Sequence, residues 1–331
     1  MTKIKDVAKL ASVSISTVSH VVNGTRYVRP ETKEVVEAAI AKLGYKPNSA
    51  ARALKAGAFK TIAMLVEKST NPFFSEVVQA FEEVCYKQGF LLTISICDSR
   101  EQRQIDQMNF LKDRGADGYA ILLESITPGL AEILRSDKET PILALDAGEH
   151  AHITSFNDNS FSGGEMAAAH FAEISRDRVI LLAGPKSHKR MVERLAGFKH
   201  AWQQRGLRVE NLKILHSPLT FSAGYDTICE NRDELDGFNG AMAFCDALAI
   251  GAMSALSEIG RRVPENIAVI GYDNIEVSKF ASPSLTTISQ SASRIGRTAA
   301  KELLSSIAGE ENEMSGKFLE PHLIKRRSTR L

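Results

Sequence analysis

Residues 4–26, IKDVAKLASVSISTVSHVVNGTR, read as two short helices joined by a tight polar corner. Ile4, Val7, Ala8 and Leu10 recur at helical spacing and give the first helix one apolar face, leaving Lys3, Lys5 and Lys9 for solvent or phosphate. Ala11, Ser12 and Val13 form the corner. Ser14 is placed to accept the first free backbone N–H of a second helix, Ile15 to Val22, whose Val18, Val21 and Val22 turn inward. The opposite face carries Ile15, Ser16, Thr17 and His20, side chains short enough to let a backbone approach a major groove and bearing groups that bond base edges and phosphates. Asn23 and Gly24 end the helix. The spacing is that of a helix-turn-helix DNA reader. An ordinary amphipathic helix pair is the alternative, and charge favours the DNA reading.

Residues 1–60 hold eight Lys and three Arg against Asp6, Glu31, Glu34 and Glu37, a net +7, while the rest of the chain carries 30 basic and 36 acidic residues, a net −6. A whole-chain charge of +1 thus conceals a basic head, which supplies salt-dependent attraction to phosphates. A third helix follows Pro30, with Val35, Val36, Ala39, Ile40 and Leu43 as its apolar side, and stops at Gly44. Then comes NSAARALKAG, where Asn48 or Ser49 caps a helix of about two turns, too short to be stable alone. Its Arg52 and Lys55 flank Leu54, an arrangement suited to folding on DNA and wedging an apolar side chain between minor-groove base steps; an Ala-rich linker is the plainer reading.

From residue 60 onward, compact apolar runs alternate with helix-length amphipathic segments, the mark of parallel sheets covered by helices. Two sets of strands are expected: 61–66, 91–96, 119–124 and 141–146, then 179–184, 212–217, 241–246 and 267–273. Two sheets imply two lobes. With 331 residues and 44% hydrophobic content the chain can bury a large core. It has no apolar run of membrane-spanning length and no apolar leader after MTKIKDV, so a cytoplasmic, nucleoid-associated protein without a membrane partner is expected. Cys85, Cys97, Cys229 and Cys245 stand singly, without a CxxC pair, and read as reduced core residues, with Cys245 close enough to the cleft to raise the question of a reactive thiol.

Ligands of open α/β sheets bind beyond the carboxyl ends of the strands. Asn71, Phe73 and Phe74 follow the first strand, Asp146 ends the fourth, Asp246 and Asp273 end the last two of the second set, and Arg194 opens a helix after Gly184-Pro185. Carboxylates and a guanidinium that bond hydroxyl pairs, with an aromatic ring to stack, suit a sugar. Each residue also has a plain structural reading: the phenylalanines as core, the aspartates as helix caps, the arginine as a surface ion pair.

The sequences IKDVAKLASVSISTVSHVVNGTRYVRPET, SAARALK, STNPFFSEVV, RLAGF, RVPENIAVIGYDN and SLTTISQ closely resemble the lac repressor family of bacterial transcription regulators, and within it the ribose-operon and purine repressor subgroup. The resemblance runs essentially end to end. It implies a fold of class α plus α/β: a three-helix helix-turn-helix head (1–47), a hinge helix (48–58), and an effector-binding and dimerisation domain (59–331) of periplasmic-binding-protein type. The chain would cross three times between doubly wound lobes, lobe 1 about 60–160 and 291–319, lobe 2 about 161–290 and 320–331. It implies operator contacts at Ser16, Thr17, His20 and Arg26, with Leu54 as the intercalating lever and Lys55 in the minor groove; Ile15, Asn23 and Arg52 are expected DNA-binding residues beside them. Effector contacts are implied at Asn71, Phe73, Phe74, Asp146, Arg194, Asp246, Asp273 and Gln290. Where relatives stack an aromatic ring, this chain has Ala147 and Leu219, and Phe221 is the substitute; KSHKRMVER (186–194) replaces residues that read the ligand in the purine branch. A ribose-like pentose is the leading effector, and a purine or another sugar the alternative. The implied partners are double-stranded operator DNA, the small effector and a second copy of the chain, with no cofactor and no metal. A homodimer would dock on a pseudo-palindrome, with closure of the lobes shifting head separation.

Enzyme readings fare worse. TIAMLVEKSTNPFF lacks a dinucleotide glycine fingerprint, and there is no P-loop, G-x-S-x-G or H-E-x-x-H. Glu149, His150 and His152 read as a solvated loop rather than a metal corner.

Overall fold

The computed structural model describes residues 2–45, 59–147, 153–310 and 318–330. The expected hinge helix, with Arg52, Leu54 and Lys55, lies outside those residues, as do Glu149, His150 and His152. The chain divides into two compact units, Met1–Phe59 and Lys60–Leu331.

In the first unit, α1 (Ile4–Leu10), α2 (Ile15–Asn23) and α3 (Pro30–Leu43) enclose a small core of Val7, Ala8, Ala11, Val18, Val36 and Ala39. Ser14 caps α2, its Oγ accepting from Thr17 N at 3.0 Å, and Pro30 sits in the first turn of α3, where a missing N–H costs nothing. Gly24 and Gly44 end α2 and α3 at φ of 62° and 58°, a left-handed conformation that favours glycine. Two expected inward residues are not inward: Leu10 is 44% exposed and Val35 51%, because three short helices leave room for only one apolar row each.

The second unit holds two six-stranded sheets. The first has strand order β11-β5-β4-β3-β1-β2, with β1 Thr61–Glu67, β2 Leu91–Cys97, β3 Gly118–Leu122, β4 Ile142–Leu145, β5 Thr154–Asp158 and β11 Phe318–Leu319. The second has order β12-β10-β9-β8-β6-β7, with β6 Val179–Ala183, β7 Leu212–His216, β8 Gly240–Ala243, β9 Ala268–Tyr272, β10 Thr286–Ser289 and β12 His322–Ile324. All pairings are parallel except β10 with β12. Helices α4 (Pro72–Lys87), α5 (Glu101–Arg114), α6 (Pro128–Ser136) and α11 (Ala292–Ile307) cover the first sheet, with α4 and α11 packed on each other. Helices α7 (Ser160–Glu173), α8 (Lys189–Gln204), α9 (Phe221–Glu230) and α10 (Asp246–Glu258) cover the second as two tightly packed pairs.

Strands β1, β3, β6, β8 and β9 are buried on both faces, which is why they read as continuous apolar runs. Four strands escape the sequence reading. TSFND of β5 and TTIS of β10 are buried yet polar, and β11 and β12 have two and three residues. Strand order reverses between β1 and β3 and between β6 and β8, which opens a crevice at the carboxyl end of each sheet.

Candidate functional site

On the head, Ile15, Ser16, Asn23 and Arg26 are exposed, and Thr17 and His20 are half-buried. Ser14 Oγ lies 2.7 Å from Ser16 Oγ and 2.8 Å from Thr17 Oγ1, so the start of α2 presents a knot of hydroxyls. His20 Nδ1 is 2.9 Å from Thr25 Oγ1, which fixes the ring, while the Asn23 amide folds back to donate to Ser19 O at 2.8 Å. The face offers hydroxyl and imidazole groups on an exposed helix N-terminus, the chemistry that phosphates and base edges accept.

In the second unit the strand ends bring six of the expected polar residues into one buried cluster. Asn71 caps α4 through Phe73 N at 3.1 Å, and its Nδ2 donates to Asp273 Oδ2 at 2.9 Å, joining the first sheet to the second. Gln290 Nε2 donates to the other oxygen of Asp273 at 2.5 Å. Asp146 and Asp273 stand at φ of 54° and 108°, left-handed values that residues with a side chain adopt only when the surroundings hold them, a feature concentrated at binding sites. Arg194 donates to Phe244 O at 2.5 Å and Ser160 Oγ at 3.2 Å and lies 3.4 Å from the centre of the Tyr272 ring. It does not open its helix as expected: α8 starts at Lys189, and Arg194 sits on the second turn.

Asp246 is held inside the fold, accepting from Thr287 Oγ1 at 2.6 Å and Ile275 N at 2.9 Å. Phe73 and Phe74 meet edge to face at 5.7 Å within the core of the first sheet. Phe221, half-buried at the start of α9, packs against the cores of both sheets.

Several cleft groups escape the sequence reading. Asp158 ends β5 and receives Arg190, which is 1% exposed, together with Tyr272 Oη at 2.5 Å and Ser160 Oγ at 2.9 Å. His188 is buried before α8, and Glu67 and Glu124 meet at the β1–β3 crevice. The polar character of β5 hides Asp158, and Arg190 stands in a segment that the resemblance marks only as a departure.

Burial pushes the Asp146 and Asp273 carboxyls up to about 7, partly offset by Arg190 at the first and Arg194 at the second. Burial raises Asp246 further, and brings Glu67 and Glu124 to about 7. Burial works the same way on Asp158, but Arg190 and Arg194 outweigh it and hold that carboxyl below its usual range. Burial also drives His188 down to about 3, so it is a neutral imidazole. Cys85 and Cys97 rise to about 12 by burial and Cys245 rises strongly, so these thiols are not nucleophiles; Cys229 is only half-buried and is not a full core residue.

Because Asp146 and Asp273 bind protons more tightly folded than unfolded, the native state holds the extra protons between about pH 4 and 7, and stability falls as pH rises through that range. Asp158 has the opposite sign, and its contribution is lost only as pH falls below the ordinary carboxylate range. Urea unfolding of the ligand-free protein is therefore expected to show a lower midpoint at pH 8 than at pH 6. Glu67, Glu124 and Asp246 act with the same sign, so replacing both Asp146 and Asp273 by Asn should reduce that slope without abolishing it, and an unchanged slope would remove the two carboxyls as contributors.

Among the described residues no group of three or more His, Cys, Asp or Glu is arranged to hold a metal, and no helix is long and apolar enough to cross a membrane.

Comparison with known proteins places this geometry. Residues 3–48 match the model of bacterial regulatory proteins of the lacI family, and 168–329 match a periplasmic binding protein-like domain. The HTH-type transcriptional repressor PurR of Photobacterium profundum is 35% identical over 331 residues, covering 100% of this chain and 99% of the relative. A crystal structure of the lac repressor bound to ONPG in the repressed state superposes with a TM-score of 0.89 at 27% identity, covering 99% of each chain. A LacI family regulator from Enterococcus faecium with bound ribose gives a TM-score of 0.72 at 30% identity over 81% of this chain and 98% of that one. This chain, with its helix-turn-helix head and its two parallel-sheet lobes, belongs to the lacI family of bacterial regulatory proteins.

Proposed function

We propose that the protein is a sequence-specific transcriptional repressor, without enzymatic activity, whose affinity for operator DNA is set by a small polyhydroxylated effector bound between its two lobes. The observation that carries this reading is the buried cluster at the strand ends, where Asn71, Asp146 and Asp158 from one sheet meet Arg190, Arg194 and Asp273 from the other. Such a concentration of carboxylates and guanidiniums is costly to bury in a purely structural interface. It matches a ligand whose every hydroxyl both donates and accepts.

A sugar is favoured over a purine. One face of Tyr272 is covered by Arg194, Phe73 and Phe74 are spent in the core, and Ala147 and Leu219 supply no ring, so among these positions only the half-buried Phe221 is left to stack, which suits one apolar sugar face better than a flat base held between two rings. The PurR relatives favour the purine and the ribose-bound regulator the sugar. A ribose-like pentose is our first choice. Repression released by the sugar is the favoured sign of the coupling, which must be reciprocal. The division into head (1–47), hinge helix (48–58) and effector domain (59–331) belongs to the same reading, as do the operator contacts at Ile15, Ser16, Thr17, His20, Asn23 and Arg26 and the minor-groove role of Arg52, Leu54 and Lys55.

A homodimer is part of this reading. Leu91, Ile94 and Ile96 on edge strand β2 are 46–66% exposed, and Phe280 is 78% exposed, a liability for a monomer and an asset for a self-complementary interface.

The test is fluorescence anisotropy of the full-length protein on a palindromic operator from its own promoter region, with ribose, other sugars, hypoxanthine and guanine. Loss of affinity with a sugar supports the reading, and a gain with a purine moves the protein to the co-repressed alternative. In the same assay Arg194→Ala is expected to weaken the effector response at least tenfold, since a buried charge-assisted set loses about 2–5 kcal/mol when one partner is cut. A response at unchanged concentration would misplace the cleft.

A further inference from the structure

We propose that the cavity between α8 and edge strand β7 is a second ligand site, separate from the cleft, which takes a small apolar carboxylate and acts on Arg194 through Met191. The site itself is independent of the effector reading, and only what it controls rests on that reading.

Helix α8 has two faces with different environments. Arg190 and Arg194 are buried on the side of the cleft, whereas Met191, Leu195 and Lys199, spaced four residues apart, form a row along the side toward β7. There the helix and the strand leave a cavity of about 280 Å³ with a floor of Ala183, Met191, Leu195 and Ile214. Strand β7 ends its sheet, so the cavity opens to solvent at the sheet edge. His216 Nδ1 lies 2.9 Å from Gly184 O and ties the end of β7 to the loop before α8, which fixes the rim. Leu195 and Ile214 are only half-buried and Val192 is 52% exposed. Apolar surface here still meets water, and a ligand that covers it gains by excluding that water.

Charge selects the head group. Lys186 and Lys199 flank the floor, and among the described residues neither has a carboxylate partner, whereas Lys213 on the same strand is held by Glu234. Among the described residues no Asp or Glu lines the cavity. Lysine lays its stem along apolar surface and keeps its ammonium in water, so an anion at the mouth meets two cations while its body fills the floor. That floor offers sugar hydroxyls nothing to bond, which sets the site apart from the polar cleft. The volume lies at the lower limit for ligand pockets and suits a single ring or a short branched chain.

Met191 joins the two sites. It forms part of the floor, and its Sδ lies 3.9 Å from Arg194 Nη1. Methionine repacks readily, so a body seated against this side chain changes the surroundings of the Arg194 guanidinium from behind.

The test is isothermal titration calorimetry of the full-length protein, at constant ionic strength, with benzoate, 3-methylbutanoate, acetate and benzamide, each taken to about 10 mM, a range suited to so small a ligand. Benzoate and 3-methylbutanoate are expected to bind at least tenfold more tightly than acetate, which lacks the apolar body, and benzamide, which lacks the charge. In the double variant Lys186→Met with Lys199→Met, shown to be folded by its thermal melt, benzoate should lose at least tenfold. Absence of binding by both apolar carboxylates, binding of acetate or benzamide as tight as that of benzoate, or an unchanged benzoate affinity in the double variant overturns the site. Operator affinity, read by anisotropy, is expected to change at least about fivefold when benzoate saturates the wild type, and to stay constant in the double variant. Benzoate binding without that change overturns the link through Met191 and leaves the site standing. Failure to bind any operator strikes the repressor reading and not the calorimetry.

Discussion

Asp158→Ala is expected to destabilise the two-sheet unit by about 3–5 kcal/mol, the usual result of removing one partner of a buried ion pair. The carboxylate sits fully buried at the end of β5 and accepts from the Arg190 guanidinium, from Tyr272 Oη and from Ser160 Oγ. Removing it leaves Arg190 with only Glu193 and the more distant Asp146 as anionic neighbours, and leaves the hydroxyl protons of Tyr272 and Ser160 without their acceptor, in a region where Arg190 Nε and Arg194 Nε already lack a hydrogen-bond partner. Asp158→Asn keeps the shape and some acceptor capacity but not the charge, so it should cost less than Ala and still more than a surface substitution. Trp202, the single tryptophan of the chain, is buried on α8, two helix turns beyond Arg194, and its fluorescence reports this lobe. The measurement is the urea midpoint by Trp202 emission, with the slope compared between proteins. A midpoint within error of wild type for Asp158→Ala would mean that the ion pair contributes nothing to the folded state.

The contrast between Asp158 and Asp273 shows what the sequence reveals. Asp273 ends IAVIGYD, an apolar run whose burial on both faces makes it unmistakable as an interior strand, so position alone identifies the residue at its carboxyl end as a cleft residue. Asp158 ends TSFND, where the burial is nearly as complete but the side chains are polar, and its carboxylate is bonded to a partner far along the chain. Periodicity detects where apolar groups must go and is silent about polar groups buried because a distant partner satisfies them. Arg190 is the same case: a charged residue near a helix start is ordinarily solvated, and only the tertiary pairing with β5 makes it interior. In the head the pattern is legible in outline and overreaches in detail. Leu10 and Val35 obey helical spacing yet face outward, since a six-residue core cannot cover every apolar side chain offered to it.

Gly197→Ala should destabilise the protein although alanine is the better helix former, and Gly197→Val should do so by about 3 kcal/mol or more, at the severe end of overpacking. In an open helix site the alanine change gains about 0.5–1 kcal/mol, so a loss reverses the usual sign. The reason is the contact between α7 and α8. A Cβ at Gly197 meets the backbone carbonyl of Phe161, and a Cβ at Gly164 meets the backbone carbonyl of Arg194 in return. Both obstacles are main chain, so no rotamer change relieves them, and the helices must part. Separation would move the turn of α8 that bears Arg194, and with it the bonds to Phe244 O and Ser160 Oγ. Stability and effector response are therefore expected to fail together in Gly197→Ala, whereas a cleft substitution such as Arg190→Met separates them. Urea midpoints and ribose titration on the same preparations distinguish the cases. A Gly197→Ala protein as stable as wild type would show that the two helices have room to yield, and the close glycine contact would then have no part in holding Arg194 in place.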